Sequence, residues 1–287
     1  MSGNAPPTVR IQALRNSMQP TERRVADAIL DAPDEVVELT AQQLADRAGV
    51  ARSSVVRACQ AFGFRGYPQL RVALAAELGS GAPAVTDHGG GVLGRLRTAI
   101  DRAAAALPAS TSLLDAEGLE RARDAVVGAG RLLVVANGLS SPIASDLAMR
   151  LTAAGRPAEV IADAIAQQIS ARQLGSRDVC VVVSGSGANE ASLRAASAAA
   201  RGGAAVVAIT SFAASPLVDL ATHALVIAPA GTSFRDELEH TSRAAHALFV
   251  EAFVDEVASR MPEAGGAVRA QVLEILSDNL GEAALDR

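Results

Sequence analysis

A chain of 287 residues with 49% hydrophobic and 20% charged side chains has the composition of a globular protein and is long enough for one large or two ordinary domains. Its net charge of −5 excludes a uniformly basic nucleic-acid binder, so any such role must rest on a local patch. No apolar run reaches membrane-spanning length and the start lacks a signal-peptide core, so the chain is expected to be soluble and cytoplasmic, with no membrane partner.

Aromatic residues make up 2% of the chain, so the core must be built from Ala, Val, Leu and Ile. Every basic residue is Arg. Cys59 and Cys180 each sit in an apolar stretch. They read as reduced, buried thiols rather than as a disulfide or metal framework.

Residues 1–7 read as a loose arm, followed by a short helix over Val9–Met18. Thr21 is the expected N-cap of a helix carrying Val25, Ile29 and Leu30 on one face, which Pro33 ends. Thr40 is placed to cap Ala41–Ala48. Gly49-Val50 then makes a tight turn, and a third helix runs from about Arg52 to Phe62, closed by Gly63.

Helical spacing puts Val55, Ala58, Cys59 and Phe62 on the inward face of that helix. The opposite face then carries Arg52, Ser53, Val56, Arg57 and Gln60. Arg bonds guanine bidentately, Gln bonds adenine, Ser bonds phosphate or base, and Val touches a thymine methyl, so this face is legible as a major-groove reader. From Arg47 to Ala76 there are five Arg (47, 52, 57, 65 and 71) and no acidic residue. The expected DNA contacts are Arg52, Ser53, Ser54, Val56, Arg57, Gln60, Arg65 and Arg71. The plainer expectation is a three-helix domain with a merely solvated outer face.

Gly79–Gly91 reads as a Gly/Ala/Pro linker in which His88 is solvated. Val92–Leu107 is then an amphipathic helix with Leu93, Leu96 and Ile100 along one side, and Asp115 is placed to cap Ala116–Val127. These breaks divide the chain into residues 1–78, a linker 79–91, and residues 92–287.

Strands are expected at Leu132–Val135, Ala158–Ile161, Val179–Val183, Val206–Thr210 and Ala224–Ile227. Helices fall between them near Ala164–Leu174, Ala188–Arg201 and Leu217–Leu220, and Pro142 suits the first turn of a helix running to Leu151. Strands alternating with helices imply a doubly wound parallel sheet with its ligand site at the strands' carboxyl ends. The loops at Ser140, Ser184–Asn189 and Thr210–Ser215 should gather there.

The middle loop is the informative one. Val179–Val183 breaks into Ser184-Gly185-Ser186-Gly187, and an Ala-rich helix follows. Such a strand–loop–helix order makes an anion site, because glycines admit close approach and the helix start favours negative charge. The loop has no Lys, and no GKS or GKT follows it, so it is not a nucleotide-triphosphate loop. It suits a sugar phosphate. The expected ligand contacts are Gly138, Ser140, Ser184, Ser186, the Gly187 amide and Asn189.

Long helices are expected over Phe234–Arg260 and Val268–Leu285, the latter with an apolar stripe of Val268, Val272, Ile275 and Leu276. Glu239, His240, Arg243 and His246 lie near the start of the former. An isomerase would want an acid/base pair there, but a charged, solvated helix face is the expected explanation.

Two stretches also carry resemblances. LTAQQLADRAGVARSSVVRACQAFGFRGYPQLRVAL resembles the N-terminal DNA-binding domain of RpiR-type transcriptional regulators, with GFRGYPQLR its most distinctive part. SGSGANEAS resembles the SxSGxT-type loop of the SIS (sugar isomerase) domain, and the similarity extends from Leu132 to about Val257. SIS domains are doubly wound α/β domains that bind phosphosugars as isomerases or as sensors. RpiR-type regulators join the two parts in the order seen here.

The resemblance implies a regulator, not an enzyme, that binds operator DNA as a homodimer or homotetramer. Its implied effector is a phosphorylated sugar or amino sugar, with no cofactor and no metal. The alternative is a phosphosugar isomerase with an accessory helical domain. Three positions depart from the pattern. Ala51 replaces a capping Ser, and a start shifted to Ser53 or Ser54 would restore the cap. Ala136 replaces a frequent Gly, and Asn189 stands where Thr is usual.

Overall fold

The computed structural model describes residues 5–79, 86–228 and 243–280. Its helical part comprises α1 (Pro7–Leu14), α2 (Pro20–Asp31), α3 (Pro33–Glu38), α4 (Ala41–Ala48), α5 (Arg52–Ala61) and α6 (Tyr67–Gly79). Proline opens each of the first three, where its missing N–H costs nothing. This moves two expected boundaries. The second helix starts at Pro20, with Glu22 reaching back to the Gln19 amide at 3.0 Å, so Thr21 lies inside the helix. Pro33 opens a further helix as well as ending the preceding one.

These helices enclose Ile11, Val25, Ile29, Val36, Leu44, Val55, Cys59, Phe62, Leu70 and Leu74. Each such side chain contributes about 1.5–3 kcal/mol when fully buried. The α6 helix, unforeseen in the sequence, is pinned by Tyr67. Its buried hydroxyl donates toward the carbonyls of Val36 at 2.8 Å and Leu39 at 3.0 Å.

The second part begins with α7 (Val92–Ser110) and α8 (Ala116–Gly128), the latter capped by Asp115, whose carboxylate accepts the Gly118 amide at 2.7 Å. There follow β1 (Leu132–Ala136), α9 (Ser141–Ala153), β2 (Glu159–Val160), α10 (Ala164–Arg172), β3 (Val179–Val183), α11 (Glu190–Gly202), β4 (Ala205–Thr210), α12 (Pro216–Leu220) and β5 (His223–Val226). Among the described residues two further helices follow, α13 (Ala244–Ser259) and α14 (Pro262–Leu280). All neighbouring strands pair in parallel, in the order β2-β1-β3-β4-β5.

The sheet is covered on both faces, which is why its strands are continuous apolar runs. Leu132, Val134, Val181 and Val183 point into a core shared with α8, α9 and α13. Their neighbours Leu133, Val135, Cys180 and Val182 point the other way, toward α10, α11 and α12. Burial pushes the thiols of Cys59 and Cys180 up to about 12, as expected of inert core cysteines.

The two parts touch through α1. Ala5 and Ala13 pack with Leu113, Val226 and Ala228. The Ala213 amide donates to the Ala13 carbonyl at 2.9 Å. His88 pairs with Asp101 at 2.8 Å rather than standing solvated alone. The apolar side of α7 (Val92, Leu93, Leu96, Ile100) and Leu273, Ile275 and Leu276 of α14 remain exposed. Glu239 and His240 lie outside the described residues, as do positions 80–85 of the expected linker.

Candidate functional site

The α4–turn–α5 pair forms as the spacing predicts. Thr40 and Gln43 make a reciprocal capping box, the Thr40 amide donating to Gln43 Oε1 at 2.8 Å. Gly49 takes φ 63°, a left-handed conformation that reverses the chain between the helices. Helix α5 starts at Arg52 with Ala51 as an uncapped N-cap, so neither Ser53 nor Ser54 shifts the start.

Arg52, Ser53, Val56, Arg57 and Gln60 are exposed together on the outer face of α5. Ser54 is the correction. It is 6% exposed and points inward, because it precedes Ala58 by four residues and so shares the buried side. Its Oγ accepts a hydrogen bond from Arg57 Nη2 at 3.3 Å, so its hydroxyl is engaged by an outward Arg and not presented on the exposed face.

The Arg stripe is also modified by the fold. Glu35 of α3 meets Arg47 at 2.6 Å, which a count along the sequence could not reveal. Arg52, Arg57, Arg65 and Arg71 are exposed and form no ion pair among the described residues. Arg65 and Arg71 lie beyond α5, on the turn before α6 and on α6 itself.

At the carboxyl edge of the sheet the three expected loops do converge. Gly185 is held from both sides: its amide donates to Ser140 Oγ at 3.3 Å, and its carbonyl accepts from the Ser211 amide at 3.0 Å and Thr210 Oγ1 at 3.3 Å. Ser140 and Ser184 are nearly buried, whereas Ser186 is exposed. Gly138 takes φ 62° at the head of the first loop. Gly187 takes φ 63°, and a Cβ there would collide with the Ser215 side chain, so only glycine fits.

Two expected contacts change in character. The Gly187 amide donates to the Ser184 carbonyl at 3.0 Å and so closes the turn itself instead of facing an anion. Among the described residues, the loop amides with no acceptor are those of Ser186 and Asn189. Asn189 is the N-cap of α11: its Oδ1 accepts from the Ser192 amide at 3.1 Å and from Ser192 Oγ at 3.3 Å. That cap continues a polar relay. Asn137 Nδ2 donates to Ser192 Oγ and to Gln167 Oε1, each at 3.0 Å, and the fully buried Gln167 donates to the carbonyls of Ala136 and Ile161.

Behind the loops lies α13. His246 is 1% exposed, with Nε2 3.4 Å from Ser211 Oγ and Nδ1 without a partner among the described residues. Burial, reinforced by the Arg243 charge, pushes its imidazole down to about 4, so it is neutral at pH 7. The expectation of a charged, solvated helix face here is therefore overturned at His246, because α13 turns that side onto the sheet. The described residues contain no group of His, Cys, Asp or Glu arranged to hold a metal, and no helix long and apolar enough to cross a membrane.

Comparison with known proteins follows this division. Residues 8–81 match the helix-turn-helix domain of the rpiR family, and residues 126–251 match the SIS domain. The chain is 30% identical over 221 residues to the HTH-type transcriptional regulator HexR of Pseudomonas aeruginosa, covering 76% of this chain and 77% of that protein. It is 33% identical over 226 residues to the bifunctional protein glk of Paraburkholderia xenovorans, of which it spans only 34%. The structure of the Vibrio vulnificus NanR protein complexed with ManNAc-6P superposes with a TM-score of 0.61 at 26% identity, covering 96% of this chain and all of that one.

Proposed function

This chain belongs to the RpiR family of transcriptional regulators, and from that membership we propose how it works: α4 and α5 bind operator DNA, and the SIS domain senses a phosphorylated sugar or amino sugar that alters that binding. The observation that carries the sensing half is the Ser184–Gly187 turn. It is braced by Ser140 and Thr210 and presents the exposed Ser186, with the Ser186 and Asn189 amides, ahead of α11, having no acceptor among the described residues. That is a neutral, hydroxyl-rich cradle for an oxyanion.

On this reading residues 1–78 are the DNA-binding unit, 79–91 the linker and 92–287 the sensor. Arg52, Ser53, Val56, Arg57 and Gln60 face the groove, while Arg65 and Arg71 grip phosphates. Ser140, Ser184, Ser186 and the Asn189 amide hold the effector's phosphate, with Gly138 and Gly187 shaping the loops. The kinship with HexR and NanR supports regulation rather than catalysis. The exposed apolar sides of α7 and α14, together with Ile165 and Ile169 on α10, support assembly into a homodimer or homotetramer. Two copies would also supply the paired half-sites that helix-turn-helix proteins read.

A thermal-shift screen over phosphorylated sugars tests the sensing half. A true effector at about a hundred times its dissociation constant adds roughly 2.7 kcal/mol of stability. A gel shift on a selected operator, run beside an isomerase assay with the same sugars, separates a regulator from an enzyme. Turnover without DNA binding would reverse the assignment.

A further inference from the structure

The phosphate loop lacks a cation of its own: residues 184–189 contain neither Lys nor Arg. Gly185 in that loop does not take a positive φ, so backbone strain is not what demands glycine there. What occupies the missing side chain's space is the guanidinium of Arg243, which a Cβ on Gly185 would strike through Nη1, Nη2 and Cζ alike. The cation thus arrives from the start of α13, 58 residues further along the chain, and lies against the peptide that links Ser184 to Ser186.

The Gly185 amide and carbonyl are both held by neighbouring loops, so the surface beneath the guanidinium is fixed. One turn along α13, His246 is anchored by Ser211, the same residue whose amide holds the Gly185 carbonyl. Its buried Nδ1 has no partner among the described residues.

We infer that Arg243 is the cationic, specificity-determining residue of the effector site, the one that makes an anionic phosphate, rather than the sugar, the condition for binding. This rests on the reading of the Ser184–Asn189 loop as the phosphate cradle. Ser140, Ser184, Ser186 and the free amides supply neutral donors, which an uncharged hydroxyl could also satisfy. The guanidinium adds a planar pair of N–H donors matched to two phosphate oxygens, and it discriminates by charge. Gly185 is then the companion residue that leaves room for it.

The test is calorimetric titration of ManNAc-6P, glucose 6-phosphate and inorganic phosphate into the full chain and into Arg243→Gln, Arg243→Lys, Gly185→Ala and Ser186→Ala. Melting temperature and ligand-free operator affinity are checked in parallel. Arg243→Gln is expected to weaken the best phosphorylated probe by ten- to a hundredfold and to flatten the salt dependence of its affinity. Arg243→Lys should fall between the two, since it keeps the charge and loses the fork. Gly185→Ala should resemble Arg243→Gln while removing no donor. If Ser186→Ala weakens the probe but Arg243→Gln and Gly185→Ala bind it as wild type does, Arg243 is not the determinant and the cradle stands. If no probe binds the wild type, or Ser186→Ala has no effect, the cradle itself is misassigned and the role of Arg243 falls with it.

Discussion

The Ala213 amide donates a 2.9 Å hydrogen bond to the carbonyl of Ala13. Ala213 lies in the loop after β4, the loop that holds Gly185 through Thr210 and Ser211. Ala13 closes a turn of α1, whose Ile11 is fully buried in the helical core. On the proposed reading of the Ser184–Asn189 loop as the effector site, this hydrogen bond and the packing around Ala13 link that loop's support to the helical part. Ala13 is fully buried, and it packs in the cluster with Leu113, Val226 and Ala228. Ala13→Glu should detach α1 from the sensor without entering the helical core. Operator affinity without ligand should stay within a few-fold of wild type. The effector's influence on it, about 5–150-fold for a typical coupling, should largely vanish. A full ligand response in this variant, measured by fluorescence anisotropy, would show that the signal travels elsewhere.

For DNA, the geometry separates two kinds of Arg. Arg57 is exposed mid-helix on α5 and steadied by Ser54, whereas Arg71 lies on α6. Arg57→Ala should cost about 1–3 kcal/mol on the selected operator and relax preference at one base position per half-site. Arg71→Ala should weaken all sequences alike and lower the salt slope by about one. Competition against operator libraries at fixed salt tests both. Equal losses on all sequences for Arg57→Ala would remove it from base readout.

Asn189 offers a test on stability. As the N-cap of α11 it accepts from the Ser192 amide, and through Ser192 it joins the relay to Asn137 and Gln167. Asn189→Ala should cost about 1 kcal/mol, seen as a lower melting temperature. Asn189→Thr, which restores the residue usual in this loop, should keep most of the cap. An alanine variant that melts with the wild type would mean that the cap carries no weight.

His246 gives the pH dependence its sign. Folding lowers its pKa from 6.5 to about 4, so between those values the unfolded chain binds the proton more readily. Stability is therefore full above about pH 6.5 and is lost as the pH falls toward 4, by roughly 3 kcal/mol for this one group. His246→Gln, which cannot titrate, should flatten that part of the curve whatever its absolute stability. Denaturant melts of both proteins from pH 4 to 7 decide it, and parallel slopes would place the acid sensitivity elsewhere.

Much of this arrangement was legible from residue patterns, and the gaps have physical causes. Val179–Val183 matched its strand to the residue because a run buried on both faces has sharp ends at Asp178 and Ser184. Thr40, Gly49 and Asp115 acted as local signals, and local signals survive folding. The failures were contacts distant in sequence. Glu35 neutralises Arg47 across a loop, Tyr67 anchors α6 to α3, and Arg243 comes to rest on Gly185. No spacing rule encodes these. Ser54 failed for another reason: it borders the buried arc of α5, where one step along the helix decides which way a small side chain points. The Gly187 amide was offered to an anion because a Gly/Ser loop does not reveal which of its amides closes the turn.

The most direct measurement is operator affinity for the wild type and the Ser184→Ala/Ser186→Ala double variant, each with and without the best phosphosugar from the thermal-shift screen. Without ligand the two should bind DNA alike, because the hydroxyls lie on the sheet edge and not on α5. With ligand, only the wild type should change, by about 5–150-fold, since each lost charge-assisted hydrogen bond costs about 1.5–3 kcal/mol of effector binding. A double variant that still responds to the sugar at the wild-type concentration would contradict the assignment of this loop as the sensor.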